Sequence, residues 1–455
     1  MSITSEKIAE YAAEISYESL SDEAIDRTER VVYDTIGCAL GAYTSPPSKA
    51  LRRCYENQGE AATVIGSGAT TATEYAALIN SGLARYLDYN DTYVAEGRAI
   101  HPSDHILALL AVAEAENATG RDLIEAIALA YEVEAGGRDT GLLFGTGFDY
   151  VVWGTTSSAA AVGKLMGLNE DQLCDAMGIA GTSSNGLGIS RSGNISMWKG
   201  IAHGYVNHNA VQACQMARAG MTGPRELFEG PRGVFDVVTG EPFDIEFGGR
   251  DGRHYRVART NIKPYACGYY IGTAVEGALT LVDENGIDVD KIESVNVRTF
   301  ENAAQALTGP EKRKQGMTRE SADHSIAYTV AAALLDGEVT PRQYDAEHLN
   351  SDRVFEMVDR ITVEEDSELT AYTKEHGDSI PHVVRIDVGG RSYETKIDYP
   401  RGHWRRPMSD EQLDEKVSDM ALQLLTADQF QRMRDVCFDI RNLDTVDPLL
   451  EHVVV

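Results

Sequence analysis

The sequence predicts a mainly α protein, with a large helical domain built from both chain ends and a smaller α+β domain. Three observations favour this architecture. Helical periodicity dominates residues 1–262, period-two alternation appears only within 263–400, and helical periodicity returns over 401–455. With 455 residues, 43% of them hydrophobic, the chain is long enough for two or three domains.

Helices account for most of the first 262 residues. Apolar residues recur at three- and four-residue spacing in "TATEYAALINSGLARYL", "DHILALLAVAEAE", "DLIEAIALAYEVEA", "SSAAAVGKLMGL" and "NAVQACQMARAG". Alanine is frequent in these segments, and small side chains let helices approach closely, so we expect a compact bundle. Asn169 precedes a run of acids and is predicted to cap a helix.

The hydrophobic pattern of the sequence changes after residue 263. Strands are predicted over 293–300, 359–365 and 382–400, the last with Gly389-Gly390 placed as a hairpin turn. Helical runs at 270–283 and 321–336 lie among the strands, which predicts an α+β module. After Pro407 the pattern becomes helical again, with Ser409 as a predicted cap.

The charge of the chain excludes some partners. Against 41 Lys and Arg stand 71 Asp and Glu, and the net charge of −30 repels nucleic acid and anionic membrane surfaces. The acids are dispersed and only 11 of the basic residues are lysines, a pattern that resembles proteins of salt-loving microbes. No secretory signal or membrane span is apparent, which predicts a cytoplasmic protein. Six scattered cysteines predict neither disulfides nor metal ligands.

The first stretch rich in titratable residues is "RYLDYNDTYVAEGRAIHPSDH". Asp88 and Thr92 are four residues apart and share a face if the preceding helix continues. His101 and His105 have a metal-like spacing, but Pro102 belongs at a helix start and no third ligand is near, so we expect no zinc site. The alternative for the acids is a helix end with capping side chains.

The second stretch, "GNISMWKGIAHG", contains one of the scarce lysines. Lys199 falls in the first turn of a predicted helix, where free N–H groups favour an anion and a cation is poorly placed. This position predicts that Lys199 binds a negatively charged ligand. The alternative is a surface lysine extended past Trp198.

Two further segments carry polar residues in apolar surroundings. "SADHSIAYTVAAALLDG" places His324 and Tyr328 four apart on a predicted helix, a pair that is either structural or catalytic. "NIKPYACGYY" places Lys263 at the junction of the two predicted domains. No nucleotide-binding or metal motif is present, so we expect no cofactor and no metal. Lys, His, Asp and Tyr together suit proton transfer next to a carboxylate.

These motifs resemble the MmgE/PrpD family, which includes 2-methylcitrate dehydratase, cis-aconitate decarboxylase and an iminodisuccinate epimerase. The resemblance covers nearly the whole chain and rests on "RYLDYNDTY" with "HPSDH", "GFDYVVWGTTSSAAAVGKLMGL", "SMWKG", "ARAGMTGP", "FEGPRG", "TRESADHSIAYTVAAALLDG" and "YPRGH". It implies a helical domain from both chain ends, an α+β lid, and a cofactor-free active site in the cleft between them. Together with the alanine-rich, largely apolar helices, the family's habit of dimerising predicts a homodimer formed through the helical domain, with the lid at the periphery.

The resemblance assigns site residues by motif. The family's active-site positions match Asp88, Thr92, His101, Lys199, Lys263 and Tyr328, with His324 beside the last. Relatives often have histidine where this chain has Tyr150, and glutamine where it has Gly272. Because of these two departures, the resemblance does not identify the substrate.

The motifs are most similar to those of the 2-methylcitrate dehydratase branch. The implied reaction removes water from 2-methylcitrate, a small polycarboxylate, to give 2-methyl-cis-aconitate. We expect proton transfer at His101 and Tyr328, and carboxylate binding at Lys199, Lys263 and Arg191. The alternatives are decarboxylation or epimerisation by the same pocket, or a ligand-binding protein without catalysis.

Overall fold

The computed structural model describes residues 3–95, 97–141, 146–184 and 186–454. As predicted, the protein is mainly α with a small mixed sheet. Among the described residues, no helix combines the length and the apolar character that crossing a membrane requires.

The helices fall into an early and a late series. The early helices are α1 Thr4–Glu14, α2 Asp22–Ala42, α3 Pro46–Tyr55, α4 Thr73–Tyr86, α5 Ile106–Ala115, α6 Gly120–Asp139, α7 Val151–Leu165, α8 Glu170–Ser183 and α9 Trp198–Arg218. The late helices are α10 Gly272–Asn285, α11 Glu301–Leu307, α12 Arg319–Ala322, α13 Ile326–Asp336, α14 Asp352–Asp359, α15 Ser367–His376, α16 Asp410–Ala421, α17 Ala427–Cys437 and α18 Asp447–Glu451.

The strands form one four-stranded sheet and two small ladders. The sheet contains β5 Ile292–Thr299, β6 Ile361–Glu365, β7 His382–Val388 and β8 Arg391–Ile397 in the order β6-β5-β7-β8. Strands β5 and β6 are parallel and the other pairs antiparallel, with Gly389 and Gly390 at positive φ in the predicted turn. The ladders pair β1 Ala62–Thr63 with β2 Thr70–Thr71, and β3 Tyr93–Ala95 with β4 Arg98–Ile100. The early part is therefore not purely helical, and strands of two or three residues are too short to show alternation in sequence.

Helices α4 and α9 pack closely because glycines face the partner helix. An added Cβ at Gly204 would lie 2.8 Å from the Leu78 carbonyl oxygen. A Cβ at Gly200 would lie 3.0 Å from the Tyr86 Cα. A side chain at either position would force the helices apart, so these glycines bring the start of α9 next to the end of α4.

The C-terminal helices α16 and α17 pack against α2, near the start of the chain. Lys416 of α16 forms a buried ion pair with Asp34 of α2, with Nζ 2.5 Å from Oδ1. Lys416 also donates a 2.8 Å hydrogen bond to the Tyr89 carbonyl. Ser409 caps α16 and Asn169 caps α8, as predicted. The boundaries at 262/263 and 400/401 stay predictions.

Candidate active site

The end of α4 places an aspartate in an uncommon conformation. The helix ends at Tyr86, and Asp88 follows with φ +51°, in the left-handed region that costs a non-glycine residue about 1 kcal/mol or more. The helix therefore does not continue through Asp88, and Asp88 and Thr92 do not share a helical face. Such a conformation persists only where the surroundings hold it.

Three cations hold the Asp88 carboxylate. Lys199 Nζ lies 2.5 Å from Oδ2, Arg85 Nη1 lies 3.0 Å from Oδ1, and Lys263 Nζ contacts Oδ1. Lys263 also donates a 2.8 Å hydrogen bond to the Asp88 carbonyl. Burial alone would raise the pKa of Asp88, but the three cations outweigh burial and hold it well below its usual value. Asp88 is thus a carboxylate at neutral pH.

Two backbone arrangements bring the lysines to Asp88. The contact between Gly200 and Tyr86 sets the first turn of α9 beside the end of α4, which delivers Lys199. Thr92 and Asn261 exchange two 2.8 Å backbone hydrogen bonds, which place Lys263 two residues further on. Lys199 lies in the first helical turn as predicted, but it is only 3% exposed, so the surface-lysine alternative is wrong.

His324 and Asp323 lie beside the lysines in the turn before α13. The His324 Nδ1 is 2.5 Å from Asp323 Oδ1, and its Nε2 is 3.3 Å from Asp88 Oδ2. Burial and Lys199 lower the pKa of His324 to about 4, so its imidazole is neutral at pH 7. Because α13 begins at Ile326, the expectation that His324 and Tyr328 share one helix is wrong. We call Arg85, Asp88, Lys199, Lys263, Asp323 and His324 the Asp88 cluster.

His101 is a second buried imidazole, at the start of the short 3₁₀ helix Pro102–His105. Its Nδ1 is 2.7 Å from the Asp91 carbonyl oxygen and 3.3 Å from Thr92 Oγ1. A carbonyl only accepts, so Nδ1 carries the proton and Nε2 has the free lone pair. Burial, with Arg85 and Lys263, holds the pKa of His101 well below its ordinary value.

Tyr150 and Arg191 lie next to the Asp88 cluster and contact each other. The Tyr150 hydroxyl donates a 2.9 Å hydrogen bond to Asp104, and Asp104 lies 3.6 Å from Arg85 Nε. The Arg191 guanidinium covers the Tyr150 ring at 4.6 Å and binds both oxygens of Asp149. Burial raises the pKa of Tyr150 well above its usual value. Tyr150 is therefore a neutral hydrogen-bond donor here.

Some buried arginine donors in this region complete no hydrogen bond with a described residue. They are Nε and Nη1 of Arg85 and Nη2 of Arg191. The two Arg85 nitrogens approach carboxylates without the geometry of a hydrogen bond. A buried donor without an acceptor costs roughly 1–3 kcal/mol. The two Arg85 nitrogens already face carboxylates, so Nη2 of Arg191 is the donor that an added anionic group would satisfy.

Tyr328 is not brought to the Asp88 cluster. Its hydroxyl donates a 2.6 Å hydrogen bond to the Gln343 carbonyl, and its ring packs near Tyr344 and Phe355. The side chain is fully buried. In this arrangement the hydroxyl supports the fold of the 337–350 region.

Arg85, Asp104 and Asp323 were missed by sequence reasoning. Arg85 lies three residues before Asp88, a helical spacing that predicts neighbouring side chains. Asp323 is adjacent to His324, and an acid beside a histidine can orient its ring. Asp104 carries no such signal, because its link to Tyr150 joins residues 46 apart.

Two groups of described residues have donor atoms close enough to share a metal ion, all within 4.8 Å of one another. They are Asp88 with Asp323 and His324, and His105 with Glu134 and His203. Arg85, Lys199 and Lys263 already neutralise the first group and would repel a cation. His101 belongs to neither group, so the spacing of His101 and His105 does not produce a shared site.

A cavity of about 780 Å³ is lined in part by the residues that directly follow Asp88 and Lys263 in the chain. Tyr89, Pro264 and Lys416 are among its lining residues, and the members of the Asp88 cluster are not. Its wall is rich in acids, including Glu276 and Glu415. The acidic wall disfavours a negatively charged substrate in this cavity.

Both halves of the chain match known family models. Residues 6–246 match the MmgE/PrpD N-terminal domain and residues 265–439 the MmgE/PrpD C-terminal domain. A 2-methylcitrate dehydratase of Salmonella typhi is 29% identical over 96% of this chain and 94% of its own length. The Escherichia coli K12 protein of the same name is 28% identical over the same shares. A cis-aconitate decarboxylase-like protein of Aspergillus oryzae is 24% identical over 98% and 96%.

Proposed function

Because the chain belongs to the MmgE/PrpD family, we propose that it is a lyase that removes water from 2-methylcitrate or a similar tricarboxylate. The product would be 2-methyl-cis-aconitate or its analogue. Relatives named 2-methylcitrate dehydratase align along nearly the whole chain and support this reaction. In the proposed reaction, protein side chains bind the substrate and serve as the acid and the base.

One observation carries the proposal. In a chain of net charge −30, three cations converge on one buried carboxylate, and the buried Nη2 donors of Arg191 complete no hydrogen bond with a described residue. An anion with several carboxylates would satisfy those donors and be held by the lysines. Lys199, Lys263, Arg85 and Arg191 are therefore the proposed carboxylate-binding residues, with Thr92 and Tyr150 as nearby hydroxyl groups.

The proposed step needs one base and one acid. The base takes the proton from the carbon next to a carboxylate, and the C–H electron pair forms the C=C bond. The C–O bond breaks, its electrons go to the hydroxyl oxygen, and the acid adds a proton so that water leaves. The neutral imidazoles of His101 and His324 are the candidate bases. Lys199 is the proposed acid, because the hydroxyl of Tyr328 already donates to Gln343 outside the cluster.

Decarboxylation of cis-aconitate is the second candidate reaction. The decarboxylase-like relative of Aspergillus oryzae supports it, and the same cations would hold the substrate. Epimerisation and ligand binding without catalysis remain as further alternatives, because Tyr150 replaces a histidine expected from the family pattern.

The test is a substrate panel. The purified protein is incubated in high salt with 2-methylcitrate, citrate, cis-aconitate and iminodisuccinate, and products are followed by mass. Loss of 18 mass units from 2-methylcitrate is the expected result. Loss of carbon dioxide from cis-aconitate would replace dehydration with the second candidate. No turnover of any compound would favour a binding protein.

We also propose that the protein is a homodimer formed through the helical part. No Asp or Glu occurs from 176 to 225, although the chain has 71 acids. Most of the large exposed hydrophobics among the described residues lie in this stretch, including Ile189 at 75% and Trp198 at 49% exposure. A stretch that contributes exposed apolar side chains and no acids of its own reduces the repulsion between two copies of a strongly acidic chain. Light scattering should give twice the chain mass of 49.6 kDa, and a monomer mass would contradict the proposal.

The acidic surface further leads us to propose adaptation to high salt. Self-repulsion grows as the screening length rises from about 3 Å at 1 M salt to about 30 Å at 0.01 M. The melting temperature should therefore fall on dialysis into dilute buffer. An unchanged melting curve would contradict the adaptation.

A further inference from the structure

We infer that Asp323 and His324 form an oriented dyad in which His324 takes the proton from the substrate and Asp323 is its positioning residue. This inference rests on the proposed function and selects between its two candidate bases. Four observations carry it: the contacts of the ring, its exposure, the residues around it, and the segment that fixes it.

The ring contacts define which nitrogen is free. His324 Nδ1 lies 2.5 Å from Asp323 Oδ1 and 3.1 Å from Lys199 Nζ; because the shortest contact of the ring is to a carboxylate, which only accepts, we assign the proton to Nδ1. The lone pair is then on Nε2, which lies 3.3 Å from Asp88 Oδ2. Once Nε2 gains a proton, the imidazolium has a carboxylate at each nitrogen. Both acceptors are in place before the proton moves.

Exposure separates His324 from the rest of the Asp88 cluster. Its side chain is 20% exposed, whereas those of Asp88, Lys199 and Lys263 are 2–4% exposed. A substrate entering from solvent therefore reaches His324 before it reaches the lysines.

The surroundings of the other imidazole are less suitable for a base. His101 Nδ1 donates to a neutral carbonyl, and the nearby charges that lower its pKa are the cations Arg85 and Lys263. An imidazolium at His101 would face two cations, Arg85 and Lys263, with Asp88 as the opposing acid. One at His324 would face one cation, Lys199 at 3.1 Å, and two carboxylates, Asp88 and Asp323. His324 is thus the imidazole better able to hold a substrate proton.

The segment 263–268 fixes the dyad in place. The Gly268 N–H donates a 2.7 Å hydrogen bond to the Asp323 carbonyl. A Cβ at Gly268 would lie 3.4 Å from Cδ2 and Nε2 of His324, so the glycine leaves the ring edge uncovered. Lys263 donates to the Cys267 carbonyl at 3.2 Å, which links the dyad to a cation of the cluster.

The activity test compares His324→Gln and Asp323→Asn with the parent on the polycarboxylate that the parent turns over. His348→Gln is the matched control, because His348 pairs with Asp345 at 3.0 Å in a separate region. We expect His324→Gln to lower kcat by about 10²- to 10⁴-fold with KM within about threefold, the usual contribution of a proton-transfer group. Asp323→Asn should cause a smaller loss of kcat, also with KM preserved, and the control none.

A proton NMR spectrum tests the dyad without turnover. The parent should show a downfield resonance from the Nδ1 proton, absent from His324→Gln and Asp323→Asn and present in His348→Gln. Melting temperatures confirm that each variant is folded. The dyad is overturned if folded His324→Gln keeps kcat within threefold of the parent, or if the resonance survives in Asp323→Asn. If the parent converts no polycarboxylate, the proposed function fails, and the resonance decides whether the dyad exists.

Discussion

Two buried charged clusters lie close to Tyr150 in this protein. The ring of Tyr150 is 6.2 Å from that of His101, beside the Asp88 cluster, and 6.1 Å from that of His203. His203, His105 and Glu134 form the second group, here called the His105 cluster. Each cluster contains acids and imidazoles within a few ångströms, but their surroundings differ.

The His105 cluster is sealed. Its side chains are 1% exposed, and Glu134 lies 3.2 Å from His105 Nε2 and 3.6 Å from His203 Nε2. Ser157 and Ser158 contact the two nitrogens of His105 at 2.8 and 2.9 Å. Burial would raise the pKa of Glu134, but His105 and His203 outweigh it and lower the pKa to about 2.

The comparison teaches that buried charge alone does not mark an active site. The Asp88 cluster has an excess of cations around one carboxylate and opens to solvent at His324. The His105 cluster is enclosed at 1% exposure and holds Glu134 3.2 Å from His105 and 3.6 Å from His203, although both oxygens of Glu134 and both ring nitrogens of His203 complete no hydrogen bond with a described residue. We therefore expect substitutions in the first cluster to change turnover, and substitutions in the second to change stability.

Asp88→Asn should have the largest effect, because it lowers both the stability of the protein and its turnover. It removes the carboxylate shared by Arg85, Lys199 and Lys263 and leaves buried cations unpaired, which costs roughly 3–5 kcal/mol. Chemical denaturation should show this loss, and turnover should disappear. Asp288→Asn, at an exposed ion pair with Lys291, is the control. A variant as stable as the parent would mean that Asp88 does not bind the three cations as described.

Glu134→Gln should separate stability from turnover. Neutralising the glutamate removes the buried carboxylate that faces His105 and His203, and we expect a loss of roughly 3 kcal/mol in unfolding free energy. The kcat/KM of the folded variant should stay within about threefold of the parent. Unchanged stability with lost turnover would place the His105 cluster inside the active site.

His324→Gln should change how stability depends on pH. The pKa of His324 is about 4 when folded and near 6.5 when unfolded, so between these values the unfolded chain binds a proton that the folded chain does not. This destabilises the parent as pH falls from about 6.5 towards 4. The glutamine variant lacks this contribution, so the parent should lose roughly 1–2 kcal/mol relative to it between pH 7 and pH 5. Parallel denaturation curves at both pH values would refute the neutral imidazole.

Local patterns predicted most of the fold. Period-two alternation located β5 to β8, and Asn169 and Ser409 cap helices as expected. These features depend on neighbouring residues. The ladder of β3 and β4 was missed because three-residue strands leave too little alternation.

The site was predicted only in part, because it depends on contacts between distant segments. "SMWKG" indicated a lysine at a helix start, and the structure places Lys199 there. Its pairing with Asp88, 111 residues away, depends on how α4 packs on α9 and could not be read from spacing. The position of Tyr328 away from the cluster likewise follows from its contact with Gln343.

The most direct test of the central claim, that the Asp88 cluster is the site of the chemistry, is kcat/KM of Lys199→Met measured together with its melting temperature. Arg85 and Lys263 still pair with Asp88 in this variant, so the melting temperature should change little. Loss of the ammonium should cost roughly 2–4 kcal/mol of transition-state stabilisation, or about a 30- to 1,000-fold fall in kcat/KM.

Lys164→Met is the control for this measurement. Lys164 donates to the Ala12 and Ile15 carbonyls away from the cluster, so its loss should lower the melting temperature and leave kcat/KM unchanged. A Lys199→Met variant with kcat/KM within threefold of the parent would contradict the account, because the chemistry would then lie elsewhere.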